Sequence, residues 1–561
     1  MAFLKKKRFL YLDWLIIRDK CVYLPRETTV ERMKYPIGIQ DFEKIIQDGY
    51  VYVDKTEMVY QLAHNGNIYF LSRPRRFGKS LLLSTLKYYF LGRRDLFQGL
   101  AIDRLEKEWN EYPVFHIDFN GTDFTVDGRL RSRVEGYVET WESVWGRDPI
   151  NRDFGARFAY VLRQAHVKTG FRAVVLIDEY DKPLLDVLDT TYKGKIEGEE
   201  RTLEDIHRNI LKGFYSVFKL ADQDLQFVLL TGVTKFSQVS VFSGFNQPND
   251  ISMNGRYEAL CGITKEELLT VFDEPIHELA RKLKLSYEDT VKRLKKKYDG
   301  YHFGEKMIGI FNPFSILNCF FAMRMSDFWF SSGTPTYLVR LLAHCDENIN
   351  ELVGKYYDVS QFIDYKADVE RPLPMIYQSG YLTIKAYNER RGTYLLDFPN
   401  EEVRNGFIDA LASGYFNKST ASKSWANDVT DALEGGDTDR FEKLMTALLS
   451  SVTYRFQRKQ DAMECERYFQ YTFYLIVRML AFYSTVAEKE TSEGRIDCVV
   501  ECPNFVYIIE FKLNGSAQEA LDQIADKGYA KPYAADSRKV IALGINFSSE
   551  KGTIDGFIVH S

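Results

Sequence analysis

The sequence predicts an α/β protein of several units: a largely parallel sheet covered by helices, then a helical middle, then a smaller α/β unit at the C-terminal end. Three observations predict it. Between residues 66 and 232, four short apolar runs alternate with longer amphipathic stretches, as strands do when crossover helices bury both of their faces. From about residue 251 the apolar positions recur at helical spacing. Beyond residue 484 short apolar runs return, with one more helix after them.

A chain of 561 residues exceeds what one hydrophobic core supports, so several domains are expected. The formal net charge of -5 excludes a uniformly basic nucleic-acid coat but not a local basic groove. The 7 cysteines are scattered and lack paired C-x-x-C spacing. They read as reduced thiols, with no disulfide and no structural metal expected. At the start, Asp13 interrupts the apolar run and no small-residue cleavage site follows, unlike a signal peptide. No segment reaches the roughly 18 uninterrupted apolar residues of a membrane span, and a cytoplasmic protein is expected. Residues 1–33 read as an extension before "KYPIGIQDF", where ordered sequence is expected to begin.

The four runs are "NIYFLS" (67–72), "PVFHIDF" (113–119), "AVVLIDEYD" (173–181) and "LQFVLLTG" (225–232). The first leads into "RPRRFGKS" (73–80) and then into the helical "LLLSTLKYYF". This is the strand–loop–helix context of a phosphate-binding loop, G-x-x-x-x-G-K-[ST], in which backbone N–H groups surround a phosphate at a helix N-terminus. Lys79 would reach the β- and γ-phosphates, Ser80 would supply the hydroxyl for Mg2+, and Gly78 permits close backbone approach. Arg73 stands where the first glycine belongs. Followed by Pro74 it can still turn, because proline fixes φ and disfavours helix in the residue before it.

The third run is an apolar strand ending in adjacent carboxylates. Asp178 would hold Mg2+ through water, and Glu179 would orient or deprotonate the attacking water. The fourth run ends in Thr231, Thr234 and Lys235, suited to sensing a γ-phosphate. These residues together imply a nucleoside triphosphate and Mg2+ as cofactors. A P-loop kinase would instead pass phosphate to an acceptor, whereas the Asp178–Glu179 pair suits activation of water.

"YPIGIQDFEKI", "GYVYVDKT", "SRPRRFGKSLLL", "LIDEYDKP", "TGVTKFSQVSVFSGFNQPNDIS" and "YDGYHFG" followed by "FNPFSIL" occur in this order. Together they resemble the bacterial AAA-ATPase-like family, whose phosphate loop reads R-P-R-R-F-G-K-S. The resemblance covers about residues 34–330. It implies a P-loop NTPase fold of the AAA/STAND kind and makes ATP the expected nucleotide, with Arg73 as the family's normal residue and Arg73, Pro74, Arg75, Arg76, Phe77, Gly78, Lys79 and Ser80 as its nucleotide-binding loop. A P-loop domain over 34–250 and a helical lid over 251–340 are expected. In the lid, Thr264 is the N-cap of "TKEELLTVFDEPIHELARKLKL". The cluster Lys292, Arg293, Lys295, Lys296 and Lys297 reads as a solvated helix face ahead of a DNA-contact strip. Residues 341–454 are expected to be a helical connector.

The C-terminal unit, 455–561, opens on a long amphipathic helix, "ERYFQYTFYLIVRMLAFYS" (466–484). "RIDCVVE" and "VYIIEFK" then form two strands around a turn at Pro503 and Asn504. A hairpin centred there sets Asp497 opposite Glu510, with Cβ atoms roughly 4.5 to 5.5 Å apart, and Lys512 on the same face. Two facing carboxylates repel unless a cation joins them, and Mg2+ suits hard oxygen ligands. Such a metal could polarise a phosphate and activate water while Lys512 steadies developing charge.

Asp497 with Glu510-x-Lys512 resembles the PD-(D/E)XK nuclease superfamily. In that pattern Glu466 matches the acid of the preceding helix and Gln523 the glutamine of the following one. The resemblance implies a metal-dependent nucleic-acid phosphodiesterase coupled to the ATPase. The alternative is an ATP-driven switch whose nuclease-like domain binds nucleic acid or protein without cutting it. Expected partners are ATP and DNA, with RNA as the other nucleic acid, no membrane, and a second copy of the chain in a homo-oligomer.

Overall fold

The computed structural model describes residues 33–188, 190–196, 198–235, 248–331, 352–363, 372–407, 423–452, 498–548, 550–551 and 553–560, and five short strands: Trp14–Ile17, Lys20–Tyr23, Thr485–Ala487, Glu490–Thr491 and Gly494–Arg495. All four apolar runs are strands: β1 Ile68–Ser72, β2 Val114–Asp118, β3 Ala173–Asp178 and β4 Leu225–Gly232. With the short β5, Asn249–Asp250, they form one parallel sheet in the order β2-β3-β4-β1-β5.

All six residues of β3 are buried, as a strand covered on both faces requires. Its register explains where chemistry collects. Asp118 pairs with Asp178, and Ser72 with Gly232, so the strands end together along one carboxyl edge, the usual ligand edge of such sheets. β4 lies between the phosphate-loop strand β1 and the acid strand β3, an order that strand-by-strand reading does not supply.

Helix α1, Lys79–Phe90, starts directly after Gly78. In the 251–331 region, helices Lys265–Val271, Asp273–Leu283, Tyr287–Tyr298 and α2, Pro313–Ala322, share a core of their own around Phe272, Ile276, Leu294 and Phe320. Thr264 caps the first of them in a capping box with Glu267, satisfying donors that a helix start leaves open. Of the basic run, Lys296 pairs with Glu401 at 2.6 Å and Lys297 with Asp327 at 2.7 Å.

The region expected as a purely helical connector differs in part. Helices are present, including α3, Leu373–Gln378. Between them lies a three-stranded antiparallel sheet of Lys355–Asp358, Thr393–Asp397 and Thr383–Asn388. The "YLTIKAYNERRGTYLLDF" stretch is a hairpin by its alternation, and its signal is short. The helices Lys423–Glu434 and Thr438–Val452 pack against the C-terminal sheet. Tyr507 donates its hydroxyl to the Leu433 carbonyl at 2.7 Å, and Phe441 meets Phe557.

The C-terminal sheet runs β6 Thr485–Ala487, β7 Cys498–Glu501, β8 Phe505–Leu513, β9 Lys539–Ser548 and β10 Thr553–His560, neighbours in that order. Only the β8–β9 pair is parallel. Helix α4, Ala517–Asp526, covers one face and starts with a capping box of Ser516 and Glu519. No helix among the described residues is long and apolar enough to cross a membrane.

Candidate functional site

The phosphate loop lies over the carboxyl ends of β1 and β4, facing a cavity of about 540 Å³, within the size range of small-molecule sites. Arg75, Arg76, Gly78, Lys79 and Ser80 line one side, and Asp118, Asn120 and Glu179 another. Pro36–Gln40, Lys182 and the apolar Phe314 and Leu317 also contribute to the wall, with Trp329 and Tyr381. Gly78 sits at φ 92 and gives α1 no side-chain cap. The N–H groups of the first turn therefore remain open to an anion.

The loop holds its shape without a first glycine because the protein grips it from below. Arg73 is 1% exposed. Its guanidinium donates to the carbonyls of Ser72, Ser252 and Tyr257 at 2.9, 2.7 and 3.2 Å and lies 4.1 Å from the Phe303 ring centroid. Phe77 meets Tyr301 and Phe303 edge-on. Pro74 backs against Gly380, where a Cβ would come within 2.6 Å of it. The side chains of Arg73, Pro74 and Phe77 thus build the loop, while Arg75 and Arg76 are exposed on its cavity side. Arg76 takes the left-handed conformation, φ 68, that a glycine would adopt at no steric cost.

Lys79 is buried, and its ammonium donates to the Arg73 and Pro74 carbonyls at 2.9 and 3.2 Å. Burial pulls its pKa down, opposed by Glu179, Asp178 and Asp181. Glu179 is shifted the other way: burial raises its carboxyl, opposed chiefly by Lys79. Its backbone is also left-handed, φ 48, a strain that concentrates at functional positions. Asp178 is 2% exposed; its Oδ1 accepts from the Thr231 hydroxyl at 2.8 Å and from the Glu179 N–H at 3.0 Å. Thr231 therefore meets the site through Asp178. Thr234 and Lys235, expected beside a γ-phosphate, are turned elsewhere: Thr234 donates to Asp181 and Lys235 pairs with Asp250 at 2.8 Å.

Four residues here were not expected from the sequence: Asp118, Asn120, Asp181 and Glu402. Asp118 and Asn120 line the cavity beside Glu179, and the signal was available, since "PVFHID" is another apolar strand that ends on an acid. Asp181 is 1% exposed and accepts from the Val233 and Thr234 N–H groups at 2.9 and 2.6 Å, tying the β3 end to the β4 end. Glu402 is 1% exposed and accepts from the Ser315 hydroxyl and the Trp329 N–H, both at 2.7 Å. Its position, far along the chain, carries no motif.

Burial pushes the Glu402 carboxyl from 4.5 up to about 7, opposed by the hydrogen bonds from Ser315 and Trp329. The folded state then holds the proton more tightly than the unfolded chain. This contribution is full below about pH 4.5 and is lost as pH rises to about 7. Glu402→Gln, neutral throughout, is expected to lose less thermal stability than the wild type between about pH 5 and pH 8. Parallel melting profiles for the two proteins would contradict this.

The second candidate site lies on the α4-covered face of the C-terminal sheet. The β7–β8 hairpin has the register expected from its turn: Glu501 pairs with Val506 and Cys498 with Ile509. Asp497 and Glu466 lie outside the described residues. Glu510 is 2% exposed, and its Oε1 accepts from the Gln523 amide, whose own oxygen accepts from the Lys512 ammonium. Three of the expected residues, from two elements, thus form one hydrogen-bonded chain. Among the described residues no three potential metal ligands cluster.

Gly544 makes that meeting possible. It pairs with Glu510 across β8 and β9, and a Cβ there would lie 2.2 Å from the Ala517 carbonyl. Only hydrogen lets α4 approach closely enough for Gln523 to reach Glu510. Gly544→Ala is expected to cost about 1–3 kcal/mol of stability, as overpacking does. Urea unfolding checks it, and an unchanged midpoint would show that the helix has room.

Three comparisons with known sequences bear on these sites. A family model described as "Predicted AAA-ATPase" matches residues 36–242, and one described as "PD-(D/E)XK nuclease superfamily" matches residues 464–557. Over 547 residues the chain is 36% identical to a protein of Azotobacter chroococcum mcd 1 described as "Uncharacterized protein in vnfD 5'region", an alignment spanning 95% of this chain and 100% of that relative.

Proposed function

Because the chain belongs to the AAA-ATPase-like family and carries a C-terminal domain of the PD-(D/E)XK nuclease superfamily, we propose that it hydrolyses ATP at the Lys79 cavity and cleaves nucleic-acid phosphodiester bonds at the Glu510 site. The observation that carries the first half is that the phosphate loop and the Asp178–Glu179 strand end meet along one sheet edge, with Lys79 and Glu179 lining one cavity of about 540 Å³.

In this reading the open N–H groups at the start of α1 receive phosphate oxygens, and Lys79 neutralises the charge on the β- and γ-phosphates. The donor set fits Mg2+: the Ser80 hydroxyl and the Asp178 carboxylate are hard oxygens. Thr231 keeps Asp178 turned toward the site. Mg2+, when bound, screens the charge that develops on the transferring phosphoryl group. Glu179 takes the proton of the attacking water, and its raised pKa brings it nearer the operating pH of a general base.

At the C-terminal site, Glu510 with Asp497 would hold Mg2+, which supplies charge stabilisation at the scissile phosphate. Glu510 offers hard carboxylate oxygens, of the kind Mg2+ takes, and the Gln523 amide fixes their position. Lys512 stabilises negative charge at the phosphate, Gln523 orients both neighbours, and Glu466 is proposed to add its carboxylate from the preceding helix. DNA is the proposed substrate, with RNA as the competing one, and a homo-oligomer is the proposed working form. The reading is tested by measuring phosphate release from ATP and cleavage of plasmid, single-stranded DNA and RNA, each with Mg2+ and with excess chelator. Metal-dependent turnover of both kinds is expected. Absence of ATP binding would remove the first half, and absence of cleavage on all three substrates would leave the C-terminal domain as a binding module.

A further inference from the structure

Within the phosphate loop Arg76 occupies a left-handed position, φ 68, which a glycine would adopt at no steric cost. A non-glycine residue held there is strained and persists only where the surroundings determine it. One contact reaches the peptide that precedes this residue. The indole Nε1–H of Trp329 donates to the Arg75 carbonyl at 3.1 Å across 254 residues of chain. In a trans peptide the C=O and the next N–H point in opposite directions, and the described residues contain no cis peptide. Whatever grips the Arg75 carbonyl therefore sets the direction of the Arg76 N–H.

Trp329 is itself clamped. It is 6% exposed, and its ring meets Tyr381 at 5.2 Å. Its backbone N–H donates to Glu402, whose other oxygen accepts from Ser315, the third residue of α2. Asn312 caps that helix through the Ser315 N–H at 3.2 Å. A continuous chain of hydrogen bonds thus runs from the start of α2 through Ser315, Glu402 and Trp329 to the loop. Residues 315, 329 and 402 all lie beyond the stretch 36–242 that matches the ATPase family model.

We propose that Trp329 is a positioning residue of the phosphate loop: held by Glu402, its indole fixes the Arg75–Arg76 peptide and so aims the N–H that receives a nucleotide's outer phosphates. This deepens the ATP-site reading and rests on it. The lid thus supplies a conformational restraint at a left-handed position that is not glycine. The Arg75–Arg76 peptide belongs to the turn that surrounds the β-phosphate in such loops. Losing the restraint should weaken ligands that carry that phosphate and spare AMP, which does not.

The test measures binding of ATP and of AMP to the full chain by calorimetry, for wild type, Trp329→Phe and Ser315→Ala. Trp329→Phe keeps an aromatic ring near Tyr381 and removes the donor together with part of the indole's bulk, and the loss of bulk is read by the AMP arm. It is expected to weaken ATP by about fivefold or more, the scale of one hydrogen bond, with AMP affinity unchanged. Ser315→Ala, which loosens Glu402 without touching the ring, is expected to shift ATP in the same direction by less. It also serves if Trp329→Phe does not fold. Equal weakening of ATP and AMP would show that the ring merely packs, and no change in either would show that the loop holds itself; both overturn the inference. A wild-type protein that binds no ATP would instead overturn the reading beneath it.

Discussion

Lys79→Ala is expected to lose ATP binding and turnover together, whereas Glu179→Gln is expected to keep ATP bound and lose turnover. The difference follows from where each group acts. Lys79 is a buried cation whose charge is opposed by desolvation and supported by three acids; it meets ground-state phosphates and transition state alike, so its loss is felt in affinity as well as rate. Glu179 matters only when a proton moves. Removing a positioned general base costs about 10²–10⁴-fold in rate, and glutamine keeps the size and polarity of the side chain. Binding by calorimetry and phosphate release by a coupled assay separate the two. A Glu179→Gln protein that hydrolyses ATP at the wild-type rate would remove Glu179 as the base. Asp118, on the neighbouring strand and lining the same cavity, would then be the next residue to replace.

Lys512→Ala is expected to lower metal-dependent cleavage of nucleic acid by about 10²–10³-fold, the scale seen when one charge-stabilising donor is removed from an active site. ATP turnover should be unaffected in rate, since the two sites use separate sheets. The lysine donates to Gln523, which donates to Glu510, so Lys512→Ala also frees the glutamine oxygen. Gln523→Ala serves as the companion: a smaller loss is expected, because it removes the residue that orients its neighbours and leaves both charges in place. Cleavage at the wild-type rate by Lys512→Ala protein would favour a C-terminal domain that binds nucleic acid or protein without cutting it.

Much of the first domain was legible because its signals are local. A strand buried on both faces must be apolar along its length, and "AVVLID" can be little else. A phosphate loop needs its lysine and hydroxyl side by side at a helix start, so Lys79 and Ser80 declare themselves. The hairpin centred on Pro503 and Asn504 was legible for the same reason, since its turn sets the register of every pair behind it. Signals that depend on distant partners were not. The antiparallel sheet of 355–397 was hidden by its short strands and the helices around it. Thr234 and Lys235 looked free for a phosphate until Asp181 and Asp250 were brought beside them.

By itself the sequence determined which residues can do chemistry, because a lysine after a glycine at a helix start, paired acids at a strand end and an acid-x-lysine strand are properties of a few neighbouring side chains. Only the tertiary structure decided what makes the loop at 73–78 hold its shape. That restraint comes from Tyr301, Phe303, Trp329 and Gly380, hundreds of residues downstream. The physical reason is that a turn with arginine at its first position and at its left-handed position 76 cannot hold its conformation from local preferences alone, and the contacts that make up the difference are set by packing, which no local pattern records.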